Sequence, residues 1–243
     1  MPSPSGLNLT SSIVHDLGAA IIRGEYSGKP FPVESELCEH YGASRSVLRE
    51  AVKMLTAKGL LSARPRQGTR VEPEDRWNLF DPDVLRWMLE RKFSLQLLIQ
   101  FTQVRITFEP CAAALAANSA TPEQRAKISK GIERMLAADR GDDDPLESDI
   151  AFHVAVLEAT GNPFFVQLRE LIETALRFSI RRTNAYKGVP LASVLDHKRV
   201  ADAILAGNAP SAERFMRALI QEALDLMLTE QKKASRAKRA SNK

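Results

Sequence analysis

The sequence predicts a mainly α chain of two domains: a small helical domain closed by a two-stranded ribbon, then an all-α bundle. Three observations carry this. Residues 32–71, PVESELCEHYGASRSVLREAVKMLTAKGLLSARPRQGTRV, read as two short helices around a tight turn, followed by a hairpin. Beyond residue 83 the apolar spacing is helical almost to the end, and no segment alternates strongly as a strand. The length of 243 residues suits two ordinary domains, and a hydrophobic fraction of 44% supports real cores.

Residues 1–8 are rich in Pro, Ser and Gly and are expected to be loose. Leu9–Arg23 is an amphipathic helix with Ile13, Leu17, Ala20 and Ile21 on one side. His15 within it reads as a surface or packing residue. A loop with Gly28 and Pro30 leads to a compact helix over 34–40. Gly42 breaks that helix, Ser44 is a good N-cap for the next, and Gly59 stops it after about Lys58.

The second of these helices has two faces. Leu48, Ala51, Val52 and Leu55 form an apolar stripe, while Arg45, Arg49 and Lys53 recur every four residues on another side. Between 45 and 70 the basic residues are Arg45, Arg49, Lys53, Lys58, Arg64, Arg66 and Arg70, against Glu50 alone. Strands over 60–64 and 69–72 flank a turn at 65–68, which gives a ribbon with a basic tip. Any helix has a solvated face, and a basic stripe by itself is weak evidence. Turn, cap, stripe, glycine stop and basic ribbon in this order are far more specific, and they point to a winged helix-turn-helix that reads double-stranded DNA. The candidate DNA-contacting residues are Ser44, Arg45, Ser46, Arg49 and Lys53 on the helix, with Arg66 and Gly68 at the ribbon tip.

Composition narrows the partners. Aromatics at 6% disfavour a base-stacking platform for single strands, and a net charge of +4 places the attraction in local clusters. Cys38 and Cys111 form neither a CxxC nor a zinc-like spacing and are expected to be two reduced, buried thiols. No signal peptide, membrane span or internal repeat is recognisable, so a cytoplasmic protein is expected.

The connector over 73–83 holds polar residues and two prolines. Trp77 and Trp87 could form a ligand cage, but packing is the better reading of two large hydrophobes with one donor each. Helices are expected over 84–90, 95–118, 121–139, 146–159, 163–184, 190–206 and 210–231. The acidic run at 141–145 lacks the later Glu of a calcium loop and reads as a solvated turn. The expected domains are 1–76 for DNA binding, 77–231 for effector binding and dimerisation, and a disordered basic tail over 232–243. That tail either adds nonspecific DNA affinity or solubilises the chain.

The bundle holds Asp149 and His153 four apart, on one side of a helix, and His197 opens another helix 44 residues later. Asp with two imidazoles is a competent shell for a divalent metal, although such pairs also arise as plain ion pairs. Arg105 can hold a carboxylate by two hydrogen bonds, or pair structurally with Glu109 four residues on. Arg177 and Arg181 are weaker candidates on a later helix.

These residues also carry a resemblance. Pro32-x-Glu34-x-Glu36-Leu37, Ser44-Arg45-x-x-x-Arg49-Glu50-Ala51, Leu55-x-x-x-Gly59-Leu60 and Gly68-Thr69-Arg70-Val71 resemble the winged helix of the GntR superfamily of bacterial regulators. Ser35 stands where many members of the FadR branch have Arg. The segment Glu147-Ser148-Asp149-x-x-x-His153 through Ala159-Thr160-Gly161-Asn162-Pro163, with His197 and Ala203-Ile204, is similar to the FCD effector domain of that branch. The resemblance spans roughly residues 10–230. It implies DNA contact at the positions matching Arg45, Arg49 and the wing. It implies a carboxylate effector, a sugar acid such as an aldonate, near Arg105, Asp149, His153, Arg177 and His197. It also implies a divalent metal (zinc, nickel or manganese) on Asp149, His153 and His197. The third His expected in that pattern is Leu219, which leaves a three-ligand site, one completed by water or effector, or a metal-free pocket. The resulting expectation is a homodimeric regulator, a repressor released from a palindromic operator by its effector. Two rivals are a metal-dependent enzyme with a DNA-targeting domain and a sensor of metal alone.

Overall fold

The computed structural model describes residues 9–64, 68–91, 94–187 and 193–241, excepting the side chains at 64, 181–187 and 237–241. The chain divides into two compact units, one up to Phe93 and one from Ser94.

In the first unit, α1 (Leu9–Arg23) buries Ile13, Val14, Leu17, Ile21 and Ile22 along one stripe. α2 (Glu34–Tyr41) ends at Gly42 with φ +58°, and its Ala43 neighbour is buried. Ser44 then caps α3 (Arg45–Ala57), its hydroxyl accepting the Val47 N–H at 3.4 Å. α3 turns Leu48, Ala51 and Leu55 inward and packs on α1. Gly59 takes φ +76°, and a Cβ there would lie 2.4 Å from the Arg76 carbonyl oxygen, so the turn out of α3 requires glycine on two counts. β1 (Leu61–Arg64) pairs antiparallel with β2 (Gly68–Val71), Leu61 facing Val71 and Arg64 facing Gly68. The ribbon agrees with the sequence reading within a residue at each end.

α4 (Pro82–Arg91) folds back onto α1. Trp77 and Trp87 are both buried in the core of this first unit. The Trp77 indole N–H donates to the Glu72 carbonyl at 3.0 Å, and that of Trp87 to His15 Nδ1 at 2.7 Å. Packing is thus what the tryptophans do, and they draw residues 77–91 into the first unit rather than the bundle. Lys58 joins the end of α3 to α4, with its ammonium 2.8 Å from Asp81 and 2.9 Å from Asp83.

The second unit comprises α5 (Leu95–Ser119), α6 (Pro122–Asp139), α7 (Pro145–Glu158), α8 (Pro163–Gln167), α9 (Arg169–Lys187), α10 (Val194–Leu205) and α11 (Ala209–Ser241). Thr121 and Gln124 form a reciprocal capping box, and Asp144 caps α7 by accepting from the N–H groups of Leu146 and Glu147. The acidic turn is therefore a capping device, with Asp143 also paired to Arg134 at 2.8 Å. α5 lies along α11 and buries Ala112, Ala113, Ala116 and Ala117, whose small side chains allow close approach. Pro110 sits inside α5 and has no N–H for the Ile106 carbonyl; Arg217 of α11 donates to that oxygen at 3.1 Å.

Three expectations need correction. The helix expected over 163–184 breaks after Gln167, where the Leu168 N–H closes a tight turn onto Phe165 O at 3.1 Å without glycine or proline to announce it. The stretch expected to be a disordered tail continues α11 to Ser241, because Ala, Gln, Lys and Arg are good helix formers extending a packed helix. Cys111 is exposed and Cys38 half-buried, so the free thiols are not the buried pair expected; position 111 falls on the outer side of α5. Among the described residues, no helix is long and apolar enough to cross a membrane.

Candidate DNA-binding face and effector cavity

On the first unit, the α3 stripe inward leaves Arg45, Ser46, Arg49 and Lys53 exposed. Ser44 is occupied by capping, and its hydroxyl also lies 2.9 Å from that of Ser46. Arg49 makes two hydrogen bonds to Glu34 of α2, at 2.8 and 3.2 Å, and Arg45 lies 3.7 Å from the same carboxylate. Glu34 is held below the usual carboxylate range by the hydrogen bond from Arg49. Lys53 approaches Glu50 only to 3.7 Å. Gly68 opens β2 with φ +75°, and among the described residues nothing lies within 4 Å of where its Cβ would be. Arg66 lies outside the described residues. Sequence reasoning found the basic stripe but missed Glu34, which reaches it from another helix.

On the second unit, five helices line a cavity of about 60 Å³. Arg105 of α5, Asp149 and His153 of α7, Ser179 of α9, His197 of α10 and Leu219 of α11 are among its lining. The structure thus gathers four of the five effector-cavity candidates. Arg177 is not in the lining; it pairs with Glu147 and with Glu173, the latter at 2.8 Å. Arg181 lies outside the described side chains. Leu219 occupies the cavity wall where a further ligand was expected, and supplies only an apolar surface.

The polar groups are ordered by Glu109, which sequence reasoning had weighed only as a partner for Arg105. Glu109 is 2% exposed. Arg105 donates to it from Nε and from Nη2, the latter at 3.3 Å. His153 Nδ1 lies 2.7 Å from Oε2, the same carboxylate oxygen that accepts from Arg105 Nη2. Burial works against this charge, but Arg105 and then His153 outweigh it and hold the carboxyl down to about 2. An ionised carboxylate at that distance requires a proton on Nδ1, so in a neutral imidazole the lone pair would sit on Nε2, which faces Asp149 at 3.4 Å. His197 is arranged alike. Its Nδ1 donates to the Ser193 carbonyl at 2.8 Å, and its Nε2 faces the same Asp149 oxygen at 3.7 Å.

Two nitrogens and one carboxylate oxygen therefore converge, with ligand atoms all within 4.8 Å of one another. Asp149 Oδ1 and His197 Nε2 are buried and make no hydrogen bond. Burying such atoms without partners is costly, and a divalent cation would satisfy both at once. The outer nitrogens are anchored by a carboxylate and a carbonyl, the usual support of metal-binding imidazoles. The residues fit a divalent metal bound by two His and one Asp, with further positions open to water or ligand. Burial opposes the charge of Asp149, yet His197, then His153 and Arg105, keep it below the usual range. Burial likewise pushes His197 down, but Asp149 more than offsets this and raises it.

Comparison with known proteins agrees with both halves. Residues 9–71 match the family described as bacterial regulatory proteins, gntR family, and residues 100–222 match the FCD domain. The galactonate operon transcriptional repressor of Escherichia coli K12 is 36% identical over 210 residues, covering 86% of this chain and 92% of that protein. An uncharacterised HTH-type regulator of the same organism, YieP, is 33% identical over 217 residues, covering 88% and 93%. The solved structure of Lar, which controls the agr system of Listeria monocytogenes, superposes with a TM-score of 0.59 over 93% of this chain and 99% of that one, at 17% identity, a likeness of fold.

Proposed function

Because this chain belongs to the GntR family of bacterial regulatory proteins and carries an FCD domain, it is a DNA-binding transcription regulator and not an enzyme, and we propose that it represses a sugar-acid catabolic operon and is released by a small carboxylate such as an aldonate. The observation that carries the finer reading is the buried cluster of Arg105, Asp149, His153 and His197 around one cavity, taken with the similarity to a galactonate operon repressor. The rival reading of a metal-dependent enzyme falls with the family assignment. Arg45, Arg49 and Lys53 would meet operator DNA, with a homodimer presenting two copies to a palindrome.

In the cavity, Asp149, His153 and His197 would hold the metal, which supplies a Lewis-acidic anchor for an effector oxygen. Arg105 spends Nε and one hydrogen of Nη2 on Glu109, so the edge it can offer an effector carboxylate is its end edge, Nη1 with the second hydrogen of Nη2. Glu109 fixes the tautomer of His153, and Ser193 that of His197. The space between the described side chains, about 60 Å³, has room for a few waters, so a six-carbon acid would need the lining helices to shift. That movement is the coupling: an effector preferring the DNA-free form must be weakened by DNA to the same degree that it weakens DNA binding.

The small cavity also favours a second reading, a sensor of metal alone. Thermal unfolding against aldonates and uronates, each with and without Zn²⁺, Ni²⁺ or Mn²⁺, separates the two. A ligand at a hundred times its Kd contributes about 2.7 kcal/mol, or roughly 5–10 °C in Tm for a chain of this size. A shift with one sugar acid identifies the effector class. Shifts with metal only, matched by altered DNA affinity, favour the metal sensor. Arg105→Lys, which keeps the charge against Glu109 but loses the planar edge, should abolish the sugar-acid shift and leave DNA binding intact.

A further inference from the structure

Glu34 places a negative charge on the face that must approach DNA. A carboxylate there opposes phosphate, so it lowers affinity for any duplex unless it does something else. Its geometry shows what that could be. Arg49 donates from Nε to one Glu34 oxygen at 2.8 Å and from Nη2 to the other at 3.2 Å. This docks the side edge of the guanidinium on the carboxylate. The end edge, Nη1 with the second hydrogen of Nη2, points away from Glu34. Two parallel donors on that edge match the O6 and N7 acceptors of guanine in the major groove. The Arg49 side chain is 66% exposed, so this edge is accessible to a partner. Glu34 is the first residue of α2, where the helix N-terminus favours its charge, and Arg49 keeps its carboxyl ionised at neutral pH. A single exposed ion pair adds little to stability, so the pairing is better placed in recognition than in folding.

We propose that Glu34 is a positioning residue that grips Arg49 by one edge so that the other reads a guanine, while blunting the attraction of this face to nonspecific phosphate. The proposal rests on the reading of α3 as the recognition helix. It is tested with the full-length protein and a pool of randomised duplexes, selected and sequenced for wild type, Glu34→Ala, Glu34→Gln and Arg49→Ala. Binding to an unselected duplex is measured between 50 and 200 mM salt, and folding is checked by thermal melts. Wild type should select a guanine at one position of each half-site. Arg49→Ala and Glu34→Ala should both lose that preference, by about 5–100-fold, and keep the others. Glu34→Gln, whose single carbonyl oxygen can accept from only part of the edge, should fall between. Both Glu34 variants should bind unselected DNA more tightly, with a log–log salt slope steeper by up to about 0.9 per half-site. Retention of the guanine preference by Glu34→Ala while Arg49→Ala loses it would overturn the role of Glu34 and leave the recognition helix standing. An even loss at every position in a folded Glu34→Ala would also overturn it. Unchanged preferences in Arg49→Ala would instead remove the recognition-helix reading beneath it.

Discussion

Glu109→Gln should loosen the helical unit at neutral pH, and the structure sets the size of the effect. The wild-type carboxylate is buried between Arg105 and His153 and titrates at about 2 instead of the usual 4.5. A depression of roughly 2.5 pH units corresponds to about 3 kcal/mol of preferential stabilisation of the charged, folded form. Breaking a buried ion pair by removing one partner costs about 3–5 kcal/mol, an independent route to the same scale. Because the folded-state value is depressed, this contribution is complete above the ordinary value near 4.5 and is lost as the pH falls from there toward 2. The assay is a far-UV melt of chelator-treated, full-length protein from pH 7 down to pH 3. At pH 7 the variant should melt about 6–12 °C below wild type. By pH 3 more than half of that gap should have closed, because wild type loses its advantage and the neutral amide does not. Equal melting at pH 7, or a constant gap across the series, would refute the claim that this carboxylate is held charged by its two neighbours.

Metal affinity should fall as the pH falls through the raised value of His197, since a proton on Nε2 excludes a cation; metal titrations from pH 6 to 8.5 should show a plateau only at the alkaline end, and a flat profile would remove His197 as a ligand. Gly59→Ala should destabilise the first unit by about 1–3 kcal/mol, because it meets both a positive φ and a Cβ position 2.4 Å from the Arg76 oxygen; urea unfolding reads this, and an unchanged midpoint would show that the 76–78 segment yields easily. Asp149→Asn should weaken divalent-metal binding by at least about tenfold in calorimetry while the fold is kept, and undiminished affinity would move the site elsewhere.

The parts legible in the sequence are those fixed by neighbours along the chain. Gly42, Ser44 and Gly59 mark the ends of α2 and α3 because turn geometry and capping act within a few residues. Asp149 and His153 announce a shared face by their spacing, and Leu219 does line the cavity where a His was sought. What stayed hidden depends on contacts between elements. Nothing local says that Glu109 reaches past Arg105 to His153 on α7, or that Glu34 reaches Arg49 fifteen residues away. Arg177 has a suitable charge and position in the sequence, but Glu147 and Glu173 claim it. The break at Leu168 carries no glycine or proline, and the helical reading of the last residues is a matter of propagation from α11, which composition alone presents as a loose basic tail. Trp77 and Trp87 were recognised as packing residues, but their partners, Glu72 and His15, are set by the fold.

The most direct test of coupling between the cavity and the DNA-binding face is a single titration. A duplex selected from the randomised pool is labelled, bound to the protein at fixed salt, and followed by fluorescence anisotropy as galactonate and other aldonates are added with Zn²⁺, Ni²⁺ or Mn²⁺ present. A sugar acid that stabilises the protein should release the duplex, weakening its affinity at least about tenfold, and the same duplex should weaken that acid's binding by an equal factor. An aldonate that binds the protein while leaving DNA affinity unchanged would contradict the repressor-and-inducer reading.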